Sequence, residues 1–278
     1  MRDAECVDLL QWALPRLGLR WRGFRKVRGQ VCKRIGRRMG ELGLANAADY
    51  RQRLGSHPAE WDVLDGLCRI TISAFFRDRA VWERLRTEIL PGMARLAVRR
   101  GDAALACWSA GCASGEEAYG IAIVFRLTIA PSFPGLGLFV VATDAEGAVL
   151  ERARRACFGP GSLRGLPPEW IPRAFESSEG ALRLRREFRE DVRLRCEDIR
   201  RTMPDGPFHV VLCRNLAFTY FDDALQRRVL GRLAARIVPG GVLVVGAHES
   251  LPSDEVFVPA AGPLPIFSRT EAPAAASG

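Results

Sequence analysis

The apolar run Leu105 to Ser109 leads directly into Gly111 and Gly115 and then into a helical stretch that begins at Glu116. A short β-rich run, a glycine turn and a helix make one β–α unit, and the unit recurs. Leu138–Thr143 reads as a strand before a helix over Gly147–Arg155, and Phe208–Cys213 as a strand before a helix over Asp222–Ala235. Val242–Gly246 is a further strand after the turn Pro239-Gly240-Gly241, and Val81–Leu90 reads as a helix ahead of the first unit. Strands alternating with helices in this way fold as an α/β, largely parallel, doubly wound sheet. The glycine spacing is not that of a dinucleotide fingerprint, and no Gly-Lys-Ser/Thr follows, so a phosphate cradle is not expected.

Two segments depart from that rhythm. Up to Leu67 the pattern is helical: Ile35, Met39 and Leu42 recur at one face, with Lys33, Arg34, Arg37 and Arg38 facing elsewhere. Ala47–Leu54 and Ala59–Leu67 are two more short helices, so residues 1–67 are expected to form a small basic all-helical domain. Residues 68–78 are then a linker, and 79–271 the α/β domain. Within it, about 158–194 reads as an inserted antiparallel β-subdomain, because Leu182/Leu184 and Val192/Leu194 alternate and Gly159-Pro160-Gly161 and Pro167-Pro168 interrupt. The small-residue tail 272–278 is expected to be disordered.

Charge is placed unevenly. The chain carries +9 overall, and no acid stands between Asp8 and Glu41, where ten lysines and arginines fall. Such a stretch favours an anionic partner, an acidic protein surface or nucleic acid, unless it is simply a solvated basic face. Nucleic acid is disfavoured because Trp21 and Phe24 are the only aromatics interleaved with the arginines. The apolar runs are too short to span a bilayer and the first residues do not read as a signal peptide, so a cytoplasmic chain without membrane insertion is expected. The eight cysteines are scattered singly and are expected to be reduced and mostly buried. The three histidines share no motif, so no metal is expected.

The carboxyl ends of the predicted strands carry the chemistry. Asp144 ends the second strand, where an acid can accept hydrogen bonds from ribose hydroxyls or can cap the helix that follows. Arg214-Asn215 emerges from the strand Phe208–Cys213, followed by Phe218, Tyr220 and Phe221, as the rim of a ligand pocket or as plain structure. A ribose-binding acid beside a turn with no phosphate cradle fits a nucleoside cofactor without pyrophosphate.

From about Arg22 to Ser268 the chain resembles the chemotaxis-receptor glutamate methyltransferases, the CheR family. The resemblance rests on the basic helix Lys33-Arg34-Ile35-Gly36-Arg37-Arg38-Met39 and on Ile72-Ser73-Ala74-Phe75-Phe76-Arg77. It rests equally on the turn Trp108 to Glu117 and on Val211-Leu212-Cys213-Arg214-Asn215 with Tyr220-Phe221-Asp222. It implies a class I methyltransferase-like fold with S-adenosylmethionine as cofactor. It also implies that Thr71, Ser73, Arg77, Ala110, Gly111, Glu117, Asp144, Asp198, Ile199, Arg214 and Asn215 line the cofactor. Arg77 and Tyr220 would be the catalytic pair beside the transferred methyl, with Lys33, Arg34, Arg37 and Arg38 contacting an acidic receptor-like protein substrate. The β-subdomain would match one that grips a receptor peptide in some members.

This sequence departs from the family pattern at Thr71 and Ser73, where asparagine and threonine are usual. Four residues, Leu216 to Thr219, separate Asn215 from Tyr220, one more than the family has. After Gly246 the order is Ala247-His248, whereas the family's histidine follows the glycine directly. These changes leave a second reading: a relative retooled for a small-molecule carboxylate, hydroxyl or thiol. A nucleic-acid methyltransferase or a non-catalytic cofactor sensor is a more distant one. A carboxylate acceptor is ionised near neutral pH, so it needs alignment and exclusion of water rather than a general base.

Overall fold

The computed structural model describes residues 2–270 apart from 179 and 254, and the tail expected to be disordered lies outside the described residues. The chain divides into two compact units. One comprises Met1–Ile70 with Thr219–Arg227, the other Thr71–Phe218 with Arg228–Gly278.

The first unit is helical: α1 (Asp3–Ala13), α2 (Trp21–Phe24), α3 (Arg28–Glu41), α4 (Ala47–Ser56) and α5 (Ala59–Leu67). Asn46 caps α4 by accepting the Ala48 and Asp49 amides at 2.9 and 3.0 Å. Along α3, Val31, Ile35 and Met39 are buried at helical spacing, whereas Lys33 and Arg37 are exposed. Arg34 and Arg38 do not join them on that face. Arg34 donates to the carbonyls of Leu67 and Arg69 beyond α5, and Arg38 clamps Glu60 with bonds of 2.9 and 2.8 Å. Glu60 is only 3% exposed, and it also accepts the Tyr50 hydroxyl at 3.1 Å.

One expectation about the thiols fails here. Cys6 and Cys32 form a disulfide, with Cα atoms 5.8 Å apart, joining α1 to α3. The separation in sequence gives no hint of it, because the contact is made by tertiary packing of the two helices. Six other cysteines are free.

The second unit opens with α6 (Arg79–Arg84) and α7 (Leu90–Arg100), joined by a π-helical turn. The strands follow: β1 (Ala104–Ala110), β2 (Gly137–Asp144), β3 (Cys157–Phe158), β4 (Phe175–Ser178), β5 (Ala181–Leu184), β6 (Val192–Cys196), β7 (Phe208–Leu212), β8 (Ile237–Val244), β9 (Phe257–Pro259) and β10 (Ile266–Arg269). Between them lie α8 (Glu116–Val124), α9 (Gly147–Arg155), α10 (Pro160–Leu163) and α11 (Ile171–Ala174). Two later helices, α12 (Ala217–Tyr220) and α13 (Asp223–Ala234), contain most of the Thr219–Arg227 stretch that belongs to the first unit.

A seven-stranded sheet runs β6-β2-β1-β7-β8-β10-β9, with β6 to β8 parallel and β10 antiparallel to both of its neighbours. Strand order reverses between β1 and β7, and the crevice at their carboxyl ends is where open α/β sheets bind ligands. Every residue of β7 is buried, which is why it reads as a continuous apolar run rather than an alternation.

Two segments differ from the sequence-based expectation. The inserted sheet, ordered β3-β5-β4, ends at Leu184, and Val192/Leu194 belong instead to β6, an edge strand of the main sheet. Their alternation arises because a sheet edge is half exposed, and a half-exposed strand alternates in any sheet. Pro239-Gly240-Gly241 is not a turn before a strand but part of β8, opposite a register shift between Phe208 and Val210. There a Cβ on Gly241 would stand 2.9 Å from the His209 carbonyl.

The Arg38 guanidinium holds the Glu60 carboxyl below the ordinary carboxylate range against the opposing effect of burial. A folded-state pKa that is depressed stabilises the fold above the unfolded value, and the gain is lost as pH falls through the folded one. Glu60→Ala is expected to cost about 3 kcal/mol, since it strands Arg38 and the Tyr50 hydroxyl. Thermal melts at neutral pH check this, and the gap from wild type should narrow as the pH is lowered below about 4.

Candidate functional site

The turn after β1 is held to the end of β2 by its own backbone. The Gly111 and Cys112 amides both donate to the Thr143 carbonyl, at 2.8 and 2.9 Å, and the Ala113 amide donates to Asp144 Oδ2 at 2.9 Å. Those amides therefore face the neighbouring strand, so the turn does not offer a nest to a phosphate. Gly115 has a φ of +91°, and a Cβ there would meet the Tyr119 ring at 2.7 Å, so only glycine fits. Asp144 also accepts the Glu146 amide at 2.9 Å, which makes it a connector between the turn and the approach to α9.

The two acids that open α8 point to different partners. Glu116 is 4% exposed; its Oε1 accepts the Ser162 hydroxyl at 3.0 Å, while its Oε2 is buried without a partner. Glu117 accepts the Ser109 hydroxyl at 2.7 Å and Arg214 Nη1 at 3.1 Å. Arg214 itself, delivered by the end of β7, has a side chain only 4% exposed. Its Nη2 donates to Asp78 Oδ2 at 2.6 Å and to the Arg77 carbonyl at 2.8 Å. Its Nε is buried with no acceptor.

The Phe-Phe-Arg segment is anchored by its rings. Phe75 lies edge-on to Phe158 and Phe175 of the inserted sheet, at 4.8 and 5.6 Å, and its amide donates to the Ser162 carbonyl. Phe76 stacks on Trp82 at 4.5 Å. Phe76 and Asp78 are both left-handed, with φ of 51° and 63°, a conformation that costs about 1 kcal/mol each and persists here because ring stacking and Arg214 hold it. Arg77, exposed, donates to the Ile72 carbonyl at 3.0 Å. Thr71 and Ser73 lie half-buried on the extended segment before it.

Asp198 and Ile199 follow β6. Asp198 accepts the Arg200 amide and guanidinium, and Arg232 on α13 fixes the loop by donating to the carbonyls of Ile199, Arg200 and Arg201 at 3.1 Å each. Asn215 is left-handed with φ 53°, and its amide donates to Glu249 Oε2 at 2.8 Å. The same oxygen takes the Gly246 amide at 2.5 Å. The sequence drew attention to His248, which is exposed; the anchoring group is its neighbour Glu249, whose only signal was its place just beyond a buried strand. Glu116 was likewise missed, as the first of two adjacent acids with nothing in the sequence to separate their roles.

Tyr220 belongs to the helical unit. Its carbonyl accepts the Arg20 amide at 2.9 Å and its ring lies 5.0 Å from that of Phe24. A Cβ on Gly23 would stand 2.3 Å from the Thr219 carbonyl, so α2 packs flush against this segment. Of the four residues between Asn215 and Tyr220, Ala217 to Thr219 lie in the short helical turn α12.

Cys112 and His209 are taken up by packing and by the backbone. Burial, with Asp144 and Glu117 adding to it, pushes the Cys112 thiol well up and keeps it neutral. His209 accepts the Ala106 amide at Nδ1, at 3.1 Å, and so donates from Nε2 to Asp102, near the opposite end of β1 from the glycine turn.

The matching family model is the CheR methyltransferase SAM-binding domain, which covers residues 71–262. The chain belongs to this family. It is 32% identical to the chemotaxis protein methyltransferase of Escherichia coli over 80% of this chain and 77% of that one. It is 29% identical to chemotaxis protein methyltransferase 1 of Pseudomonas aeruginosa over 80% of this chain and 81% of that one. An uncharacterized 104.1 kDa protein of Rhodobacter capsulatus is 31% identical over 80% of this chain, which spans only 23% of that protein's length. The chain is therefore an S-adenosylmethionine-dependent methyltransferase. Among the described residues no helix is long and apolar enough to cross a membrane.

The donor set suits that cofactor. Asp78, Glu117 and Arg214 sum to a net negative charge, which complements a sulfonium and an ammonium, and the unpartnered Nε of Arg214 is a donor available to a carboxylate. Glu117→Gln retains an acceptor for Ser109 but removes the charge, and is expected to weaken S-adenosylhomocysteine binding about tenfold by calorimetry. Arg214→Met, which leaves Asp78 and Glu117 without their cation, should also lower the melting temperature.

Proposed function

We propose that this enzyme O-methylates glutamate side chains of a chemotaxis-type receptor or a related signalling protein, acting in the cytoplasm. The observation that carries it is family membership over 71–262, joined to a helical unit whose Lys33 and Arg37 are exposed on α3. Arg22, Arg25 and Lys26 are exposed nearby in sequence, which suits a carboxylate-rich acceptor. Arg34 and Arg38 contribute by fixing α5 to α3 rather than by facing an acceptor.

Bound S-adenosylmethionine supplies an electrophilic methyl on a sulfonium. In this proposal Glu117, Arg214 and Asn215 hold the amino-acid end of the cofactor beside Ala110 and Gly111. Asp144 takes its ribose, and Asp198 with Ile199 its base, while Thr71 and Ser73 flank it. Arg77, tethered to the Ile72 carbonyl, orients the acceptor carboxylate, and Tyr220 is the second catalytic residue of this proposal. The carboxylate attacks in its ionised form, so the protein's contribution is orientation, charge and exclusion of water rather than proton removal.

Incubation with labelled cofactor and chemotaxis receptors is expected to give a protein-bound, base-labile ester that releases methanol. Label resistant to base, or turnover of a free carboxylate metabolite with none on protein, would overturn the acceptor assignment. Lys33→Glu with Arg37→Glu should raise KM for the receptor about tenfold and leave S-adenosylhomocysteine affinity unchanged. Tyr220→Phe should lower kcat with little change in that affinity.

A further inference from the structure

Strand β6 is one of the two edges of the seven-stranded sheet, and among the described residues it is paired as a strand on one side, to β2. The phase of that pairing is fixed: the Val140 amide donates to the Asp191 carbonyl and the Glu197 amide to the Asp144 carbonyl, each at about 3 Å. In a parallel ladder, alternate residues of a strand face alternate sides. Arg193 and Arg195 therefore turn their backbone groups to β2, and Leu194 and Cys196 turn theirs outward. The Val192 amide is taken by the Arg189 carbonyl, so pairing at this rim begins at the Val192 carbonyl.

A cavity of about 450 Å³ lies along the same edge, lined by Phe139, Arg154, Val192, Arg193, Leu194 and Arg195. Phe139 is 38% exposed, a large apolar side chain in the open. The arginines are exposed, Arg154 and Arg195 to just under half, and only lightly engaged. Arg154 meets Glu151 one turn away, Arg195 meets Glu197 at 3.8 Å, and Arg193 donates to the Glu190 carbonyl at 2.7 Å. Exposed pairs of this kind contribute about 0–1 kcal/mol, so a better-placed anion can displace them.

We propose that β6 is a docking edge for an acidic extended segment of a partner protein, which adds as a further strand. Its backbone pairs with Val192, Leu194 and Cys196, and its carboxylates meet Arg154, Arg193 and Arg195. An unpaired rim of alternating amides and carbonyls is complementary to a peptide backbone rather than to a phosphodiester chain. A second copy of this chain is a poor occupant, because two-fold pairing of β6 with itself sets Arg193 and Arg195 against their own copies. This edge belongs to the main sheet and is separate from the small β3-β5-β4 sheet.

The test uses the full chain and a short fluorescein-labelled peptide of alternating glutamate and valine, read by fluorescence anisotropy. Binding is expected, at least about tenfold weaker for Arg193→Glu with Arg195→Glu, and lost when lysine replaces glutamate in the peptide. S-adenosylhomocysteine affinity should be the same in that variant, which shows that the sheet is intact. A peptide N-methylated at every internal amide keeps the charge but cannot donate to the strand, and should bind at least about tenfold more weakly. Equal binding of the N-methylated peptide would overturn strand addition, as would absence of binding or self-association of the chain through β6 in sedimentation.

Discussion

The guanidinium of Arg214 is the tie on which the carboxyl edge of the main sheet depends. It is buried at the end of β7, and it joins the linker through Asp78 and the Arg77 carbonyl to the first helix after the glycine turn through Glu117. A buried cation of this kind is stable only because two carboxylates and a carbonyl surround it, and those carboxylates are in turn tolerable only because of it. Three segments far apart in the chain therefore depend on one charge. The left-handed Asp78 is a local cost of that arrangement.

Around this tie much of the loop backbone is engaged within the protein. The amides of the turn go to β2, Asn215 and Gly246 share one oxygen of Glu249, and Arg232 collects the carbonyls after β6. A ligand here meets side chains on a fixed frame, and their sum of charge is negative. A net negative charge favours a cationic ligand over a phosphorylated one, in accord with the family to which the chain belongs.

The parallel sheet was legible because β7 and most of β1 and β2 are buried apolar runs whose strand character does not depend on their neighbours. The carboxyl-edge residues Asp144, Arg214 and Asn215 followed from them. Less legible were features decided by packing. The Cys6–Cys32 bond depends on how α1 meets α3, and the split between Arg34 and Arg38 on one side and Lys33 and Arg37 on the other depends on where α5 lies. Val192 and Leu194 alternate as any half-exposed strand does, and only partner choice assigns them to the main sheet. Glu249 and Glu116 were invisible for a simpler reason: a carboxylate that anchors amides or a serine looks, in sequence, like any other surface acid.

The flush contact of Gly23 with Thr219 carries one more consequence, for how such enzymes can be recombined. Tyr220 lies far along the chain, yet its immediate supports, Arg20, Gly23 and Phe24, come from the amino-terminal helices. A chimera that exchanges residues 1–70 for those of a relative therefore transplants the seat of that tyrosine along with the exposed Lys33 and Arg37. Grafts cut at the apparent border between helices and sheet should succeed only when the Thr219–Arg227 stretch travels with its helical donor.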